Sequence, residues 1–475
     1  MKKFIYILFA TLYLTACTKD ISRFNEETKK PASVPAGSLL ANSVKTLADG
    51  LAGSSVNVNV FRFTVKHWAM AVYQDEAQYD FTTRAIPQAW WTRMYRDVLI
   101  DLKEAERIIS ENQTLNAGVK ANQSAIIDIM QVYTYDILVN TFGDVPYSEA
   151  LDETQLFPKY DAAQTVYMDL LRRLADDIAK LNSANAGFSA TEDVIYQGSV
   201  AKWIKFANAL QMKMGMTIAD VDNAAAKAAV ESADMHAISS PDDNAIVKYL
   251  VASPNTNPVH TDIVLGGRSD YIAAKDLMDV LVNLSDPRKS LFFGTSNAGI
   301  YAGGIVGKVN TFADFSKPST KVTAPDAPLI LLDYVETEFY RAEAKERGYN
   351  VAGTAAEHYT NAVKASIIAW GGTTADADAY VGESDVAYST AAGTYKQKIG
   401  LQKWIALYNR PFTGWTELRR LDYPTLSLPE AAKSGFPNRL SYPGNEQQLN
   451  GSNYSAAAAI YAGDKVESKL FWDKF

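Results

Sequence analysis

Apolar residues recur at helical spacing in segment after segment, and this restricts the chain to an architecture built on helices. Val98, Leu102, Ala105 and Ile109 form one stripe, and Ile126, Ile129, Tyr133 and Ile137 form the next. Tyr167, Leu170, Leu174, Ile178 and Leu181 follow, opened by Asp161 with Gln164 in capping-box register. Trp203, Phe206, Leu210 and Met214 come after Ser199, which is placed as an N-cap. Late in the chain, Leu332, Val335, Phe339 and Ala342 run to a stop at Gly348. A new helix then starts at Thr354, with Glu357 three residues on, and Ile399–Asn409 is a further short helix. The reading is a mainly α fold of helix–turn–helix units. No strict 34-residue repeat is visible. Residues 242–268 and 294–328 lack helical period and are rich in Pro, Asn, Asp, Gly, Ser and Thr, so an irregular insert is expected over about 242–328. The last 50 residues are irregular but aromatic-rich, which implies packing.

The N-terminus has the form of an export signal. Lys2 and Lys3 precede an apolar run, Phe4–Leu14, which is too short for a permanent membrane span. The run ends in LTAC, and Cys17 is the only cysteine of the chain. This is the lipobox pattern, in which the thiol is acylated and the chain is cut before it. A single cysteine forms no internal disulfide, so stability must come from core burial. The expected organisation is a signal peptide over 1–16, a lipidated tether over 17–37 and one binding domain over 38–475. Removing Met1–Ala16 takes the formal charge from −8 to −10, which argues against a nucleic-acid partner.

Little in the chain points to catalysis. His67, His236, His260 and His358 are the only histidines, and none are paired at metal-ligand spacing. There is no GxSxG elbow. Gly303–Lys308 (GGIVGK) has the wrong glycine spacing for a phosphate loop, and Val309 stands where Ser or Thr would bind magnesium. Asp75/Glu76 read as loop charges, and Glu336/Glu338 as the wet face of a helix. No catalytic residue, metal ligand or cofactor is assigned, although Asp and Asn in the irregular loops would serve calcium without a readable motif. The aromatic side chains are the functional candidates: 26 Tyr, 8 Trp and 19 Phe against only 21% charged residues. A flat ring covers the C–H face of a sugar while polar groups bond its hydroxyls. Trp68, Tyr73, Tyr79 and Tyr301 are read as stacking rings, with Gln74, Asn310 and Arg268 as polar contacts. Trp90 and Trp91, just ahead of an amphipathic helix, are read as core.

Several segments, spread from Cys17 to the end, resemble the SusD/RagB family of outer-membrane lipoproteins, in its SusD-like subgroup. They are ISRFNEETKKPASVPAGSLLANSV after the lipobox, TFGDVPYSEAL (Thr141–Leu151), VIYQGSVAKWIKFANAL (Val194–Leu210), SDPRKSLFF (Ser285–Phe293), YRAEAKERG (Tyr340–Gly348), KWIALYNRPFTGWTELRRLDYPTL (Lys403–Leu426) and RLSYPGNEQQLN (Arg439–Asn450). The resemblance implies four tetratricopeptide-like helix pairs, with inserted loops and short strands forming a ligand-binding face. It also implies a lipid-anchored protein on the outer membrane, facing the cell surface. Its partner would be a SusC-like TonB-dependent transporter, over which it sits as a hinged lid and to which it hands oligosaccharide for import. Some members of the family take oligopeptides instead. A lipid-anchored glycan hydrolase is the reading from another class. Within the shared motifs, Gly143 and Pro146 shape a turn and Tyr147 packs back on the helix behind it. Trp415 and the Arg419/Arg420 pair hold the scaffold.

Overall fold

The computed structural model describes residues 34–475. The signal peptide, Cys17 and most of the tether lie outside the described residues. The helices that build the scaffold are α1 (Ala36–Ala52), α2 (Ile100–Glu111), α3 (Ala117–Phe142), α4 (Ala163–Lys180), α5 (Val200–Thr217), α6 (Asn223–Ala233), α7 (Lys275–Asn283), α8 (Tyr334–Glu346), α9 (Ala355–Ala369), α10 (Thr374–Gly382), α11 (Tyr395–Ala406), α12 (Pro411–Leu421) and α13 (Gly451–Ile460). Consecutive helices pack as pairs, α3 with α4, α5 with α6, α8 with α9 and α11 with α12, while α1 packs on α2. This is the tetratricopeptide-like scaffold.

The stripes read from the sequence face the core, as do Trp90 and Trp91. α3, roughly 39 Å long at 1.5 Å per residue, is buried all round over its C-terminal half. It ends where Gly143 takes φ +87°, a conformation open to glycine at low cost. A Cβ there would lie 2.2 Å from the Tyr461 hydroxyl. After the turn, Tyr147 packs edge-on against Tyr135 and donates to Asp169 at 2.5 Å.

Helix capping follows the sequence at α9, where Thr354 and Glu357 form a complete capping box. It does not at α4. Asp161 instead accepts from the Tyr147 and Ser148 N–H groups, and the carboxylate of Asp144, in the Gly-Asp turn, takes the Ala163 N–H at 2.9 Å. Ser199 does precede α5, but its hydroxyl makes no cap bond.

The wet face expected for Glu336 and Glu338 does not exist. α8 is enclosed by α5, α9 and α11, so both carboxylates are buried. Glu336 pairs with Arg410 and accepts from the Tyr340 hydroxyl at 2.7 Å, and Glu338 pairs with Arg341 at 2.8 Å. Nearby, Arg420 bridges Glu343 and Glu417, and Lys403 reaches Glu417 at 2.8 Å. Charges buried this way require partners, and removing one of them would leave the other uncompensated at a cost of about 3–5 kcal/mol, although the pairs themselves add little net stability. Trp415 is fully buried, its Nε1 donating to the Pro437 carbonyl, and Arg419 lies against its ring at 3.6 Å.

Among the described residues, six short strands, only one of them (Ala245–Val247) inside the stretches read as irregular, form three antiparallel pairs. β1 (Trp68–Met70) pairs with β5 (Tyr271–Ala273), β2 (Val145–Pro146) with β3 (Tyr160–Asp161), and β4 (Ala245–Val247) with β6 (Leu329–Leu332). The first pair positions the candidate site.

Candidate ligand-binding face

Three segments far apart in sequence meet around β1 and β5. Trp68 pairs with Ala273, and Met70 with Tyr271. The ladder then continues irregularly, with the Ala71 N–H donating to the Asp270 carbonyl at 2.7 Å and the Asn310 N–H to the Ala71 carbonyl at 3.0 Å. On the other side of β5, the Gly304 N–H donates to the Ala273 carbonyl and the Ala273 N–H to the Ser316 carbonyl, both at 2.8 Å. Residues 68–80, 266–274 and 300–316 thus form one backbone-bonded platform.

The first segment and its two flanks carry an unusual amount of backbone strain. Lys66, Tyr73, Tyr79 and Ala85 all have positive φ, between +51° and +67°. Each costs on the order of 1–2 kcal/mol for a residue with a Cβ, and such residues persist where the surroundings dictate the backbone, often at binding sites.

The structure divides the residues read from the sequence. Trp68 is fully buried, its Nε1 donating to the Tyr408 hydroxyl at 3.0 Å and the Arg62 guanidinium lying 4.4 Å from its ring. Tyr79 is also buried, packed against Phe81 and Phe436, and burial pushes its hydroxyl pKa well up. Neither has a ring face open to a sugar, which corrects the expectation for both. Asn310 is a clamp for the platform. Its amide donates to the carbonyls of Met70 (2.8 Å), Lys308 (2.6 Å) and Ile305 (3.0 Å), while its oxygen accepts from the Ile305 N–H. Gln74 is buried and donates to the Met70 carbonyl at 3.1 Å. These two amides support the face from behind and do not reach solvent.

Tyr73 is on the surface, at 63% exposure. Tyr301 is half-buried with Lys289 Nζ 5.1 Å above its ring, and Phe312 has Lys317 Nζ at 4.8 Å. Arg268 is partly exposed, ion-paired to Asp270 at 2.5 Å and 3.6 Å from Asp262, with its guanidinium 4.7 Å from the Tyr271 ring. Val72, Ile305 and Val309, which the sequence reading did not single out as ligand contacts, are also exposed, Val309 at 71%, on the segments that the Asn310 N–H to Ala71 carbonyl bond joins. No periodicity marks these residues, because their segments are joined only through the bond between residues 71 and 310. Beyond Asp262 opens a cleft of about 490 Å³, lined by Lys45, Asp49, Arg93 and Thr256 among others. Arg268 thus reaches the edge of this cleft through Asp262.

His67 is buried behind the platform with Nε2 donating to the Trp404 carbonyl at 3.1 Å. Burial, then the nearby Arg62 charge, pushes its pKa down to about 3, so it is neutral. Among the described residues no group of three or more His, Cys, Asp and Glu side chains is placed to hold a metal ion, and no helix is long and apolar enough to cross a membrane.

Residues 28–443 match the SusD-like family described as "starch-binding associating with outer membrane". The chain belongs to the SusD-like family. Solved structures agree. A chitin-binding protein superposes with a TM-score of 0.80 at 26% identity, over 93% of this chain and 100% of its own. A SusD homologue from Bacteroides uniformis gives 0.77 at 24% identity, over 92% and 99%. A chitin-binding SusD homologue from Flavobacterium johnsoniae gives 0.78 at 22% identity, over 92% and 98%. No curated protein matches the chain. The SusD-like assignment accounts for the paired helices and for the short strands and loops collected on the platform.

Proposed function

We propose that this SusD-like protein captures an oligosaccharide on the face around Tyr73 and passes it, uncleaved, to a SusC-like TonB-dependent transporter. Cys17, acylated, would tether it to the outer membrane facing the cell surface. The carrying observation is Tyr73, an exposed ring on a strained backbone in a platform that also exposes Val72, Ile305 and Val309 and carries Arg268, which reaches toward a polar cleft. That combination suits a ligand with C–H faces and hydroxyl edges. The chitin-binding name of the relative at 26% identity supports a glycan over a peptide and makes chito-oligosaccharides the first ligands to try.

Calorimetric titration of the purified protein with chito- and malto-oligosaccharides tests the reading. Binding of one series, weakened by Arg268→Ala and with the sugar recovered intact after long incubation, is the expected result. Affinity for peptides alone would favour the oligopeptide receptor, and release of shorter sugars would favour the hydrolase. Co-purification with a transporter barrel tests the handover.

A further inference from the structure

A pocket of about 240 Å³ opens beside the turn that follows α3, and none of its lining residues belongs to the three segments of the face. Its inner wall is aromatic, made by Trp91 and Tyr95, which are nearly buried and have their centroids 4.8 Å apart. Its rim is aliphatic. Leu156 and Leu449 line it from two distant segments and stand 79% and 67% exposed, and Phe157, next to Leu156, is exposed as well. The two segments are fastened to each other. Asn450 Nδ2 donates to the Pro158 carbonyl at 2.8 Å, Asn453 Nδ2 to the Phe157 carbonyl at 3.0 Å, and the Tyr160 hydroxyl to Glu446 at 2.7 Å. The opening is therefore preformed, with large apolar side chains held in water across it, as at an interaction site.

Glu446 is the one charged group in the lining. Apolar walls with a single carboxylate suit a side chain that has an aliphatic stem and a cationic head, which is the build of arginine and lysine. The Trp91 and Tyr95 rings add attraction for such a cation. The pocket adjoins, through Leu151, a shallow depression of about 890 Å³ whose lining holds five carboxylates against two cations, Lys103 and Arg107. The shared wall is fixed, because Lys103 Nζ donates to the Leu151 carbonyl at 2.5 Å. A surface of this sign repels nucleic acid and anionic lipid, and it attracts a basic protein segment.

We propose that this pocket docks an arginine or lysine side chain from a basic segment of a partner protein, with the stem between Leu156 and Leu449 and the head on Glu446. The site is separate from the oligosaccharide face, and its occupancy does not depend on that reading.

The peptide Ac-Gly-Gly-Arg-Gly-Gly-NH2 and its citrulline counterpart are the probes, because citrulline keeps the shape of arginine and loses the charge. NMR titration of the whole protein with labelled indoles reads affinity and place together. The arginine peptide is expected to shift the Trp91 indole signal and to bind at least about tenfold more tightly than the citrulline peptide, the ratio one charge-assisted hydrogen bond supplies. Glu446→Gln is expected to remove that difference. Glutamine still accepts from the Tyr160 hydroxyl, so folding is not at stake. Leu156→Ser, at an exposed position, is expected to weaken both peptides alike, since it touches only the stem. Absence of binding, equal affinity for the two peptides, or binding without a shift at Trp91 would overturn the proposal. So would full affinity in Leu156→Ser or in Glu446→Gln, the latter assigning capture to the surrounding carboxylates alone.

Discussion

Alanine replacements at Trp68 and Tyr73, made separately, distinguish the scaffold from the site. A buried indole removes about 200 Å² from water, which at about 25 cal/mol per Å² corresponds to about 5 kcal/mol. The Nε1–H bond to Tyr408 adds about 1 kcal/mol. Partial burial in the unfolded chain and partial closure of the void reduce the total. Trp68→Ala is therefore expected to destabilise the protein by about 3–5 kcal/mol, the range for large aromatic truncations in cores. Tyr73 has no such role. Alanine retains the Cβ and with it the same left-handed strain, so stability should stay within about 0.5 kcal/mol of wild type. Its effect is expected in binding. A phenol ring laid on a sugar covers about 80 Å² of apolar surface between the two partners, or about 2 kcal/mol, which is about 30-fold in affinity. Urea denaturation reads the first quantity and calorimetric titration with the bound oligosaccharide the second. A Trp68→Ala protein within about 1 kcal/mol of wild type would refute the core assignment. Full affinity in Tyr73→Ala would refute the face.

Two further outcomes follow from the scaffold. His358 places Nδ1 2.9 Å from a Glu338 oxygen and Nε2 2.7 Å from the Ala352 carbonyl, so both ring nitrogens face acceptors and both must carry protons. Burial acts to lower its pKa, but the bonds to Glu338 and Ala352 outweigh this and raise it above the ordinary histidine value. Its contribution to stability is thus complete below the unfolded pKa of about 6.5 and is lost as pH rises through the folded pKa. The stability gap between wild type and His358→Gln should narrow as pH rises above neutrality, and a gap independent of pH would contradict the doubly protonated ring. Gly143→Ala should cost more than about 2 kcal/mol, combining left-handed strain with a collision at the Tyr461 hydroxyl. Thermal or urea unfolding measures it, and a loss below about 0.5 kcal/mol would show that the turn relaxes freely.

Much of the scaffold was legible in the sequence, because a 3.6-residue stripe depends only on local spacing. Trp203, Phe206, Leu210 and Met214 needed no tertiary knowledge to be placed inward. Errors arose where an element is covered on more than one side. α8 has neighbours all round, so Glu336 and Glu338, which a one-faced helix would expose, sit among cations. Asp161 lost its capping role because the Asp144 carboxylate had already taken the first N–H of α4. At the candidate site, the sequence singled out segments that the structure brings together around β1 and β5, but their side chains could not be sorted into buried and exposed. Trp68 and Tyr73 are five positions apart, and what separates buried from exposed is the pairing with residues 270–273 and the left turn at Tyr73, neither of which has a local signature. The exposure of Val72, Val309 and Ile305 was missed for the same reason.

The Asn310 clamp has an evolutionary consequence. Because its amide secures the loop through main-chain carbonyls at positions 70, 305 and 308, the loop's shape is held independently of the side chains exposed at 72, 73, 305 and 309. Those four positions are therefore expected to tolerate exchange at little stability cost, and on the proposed reading such exchanges would alter the ligand taken while the scaffold beneath stays unchanged.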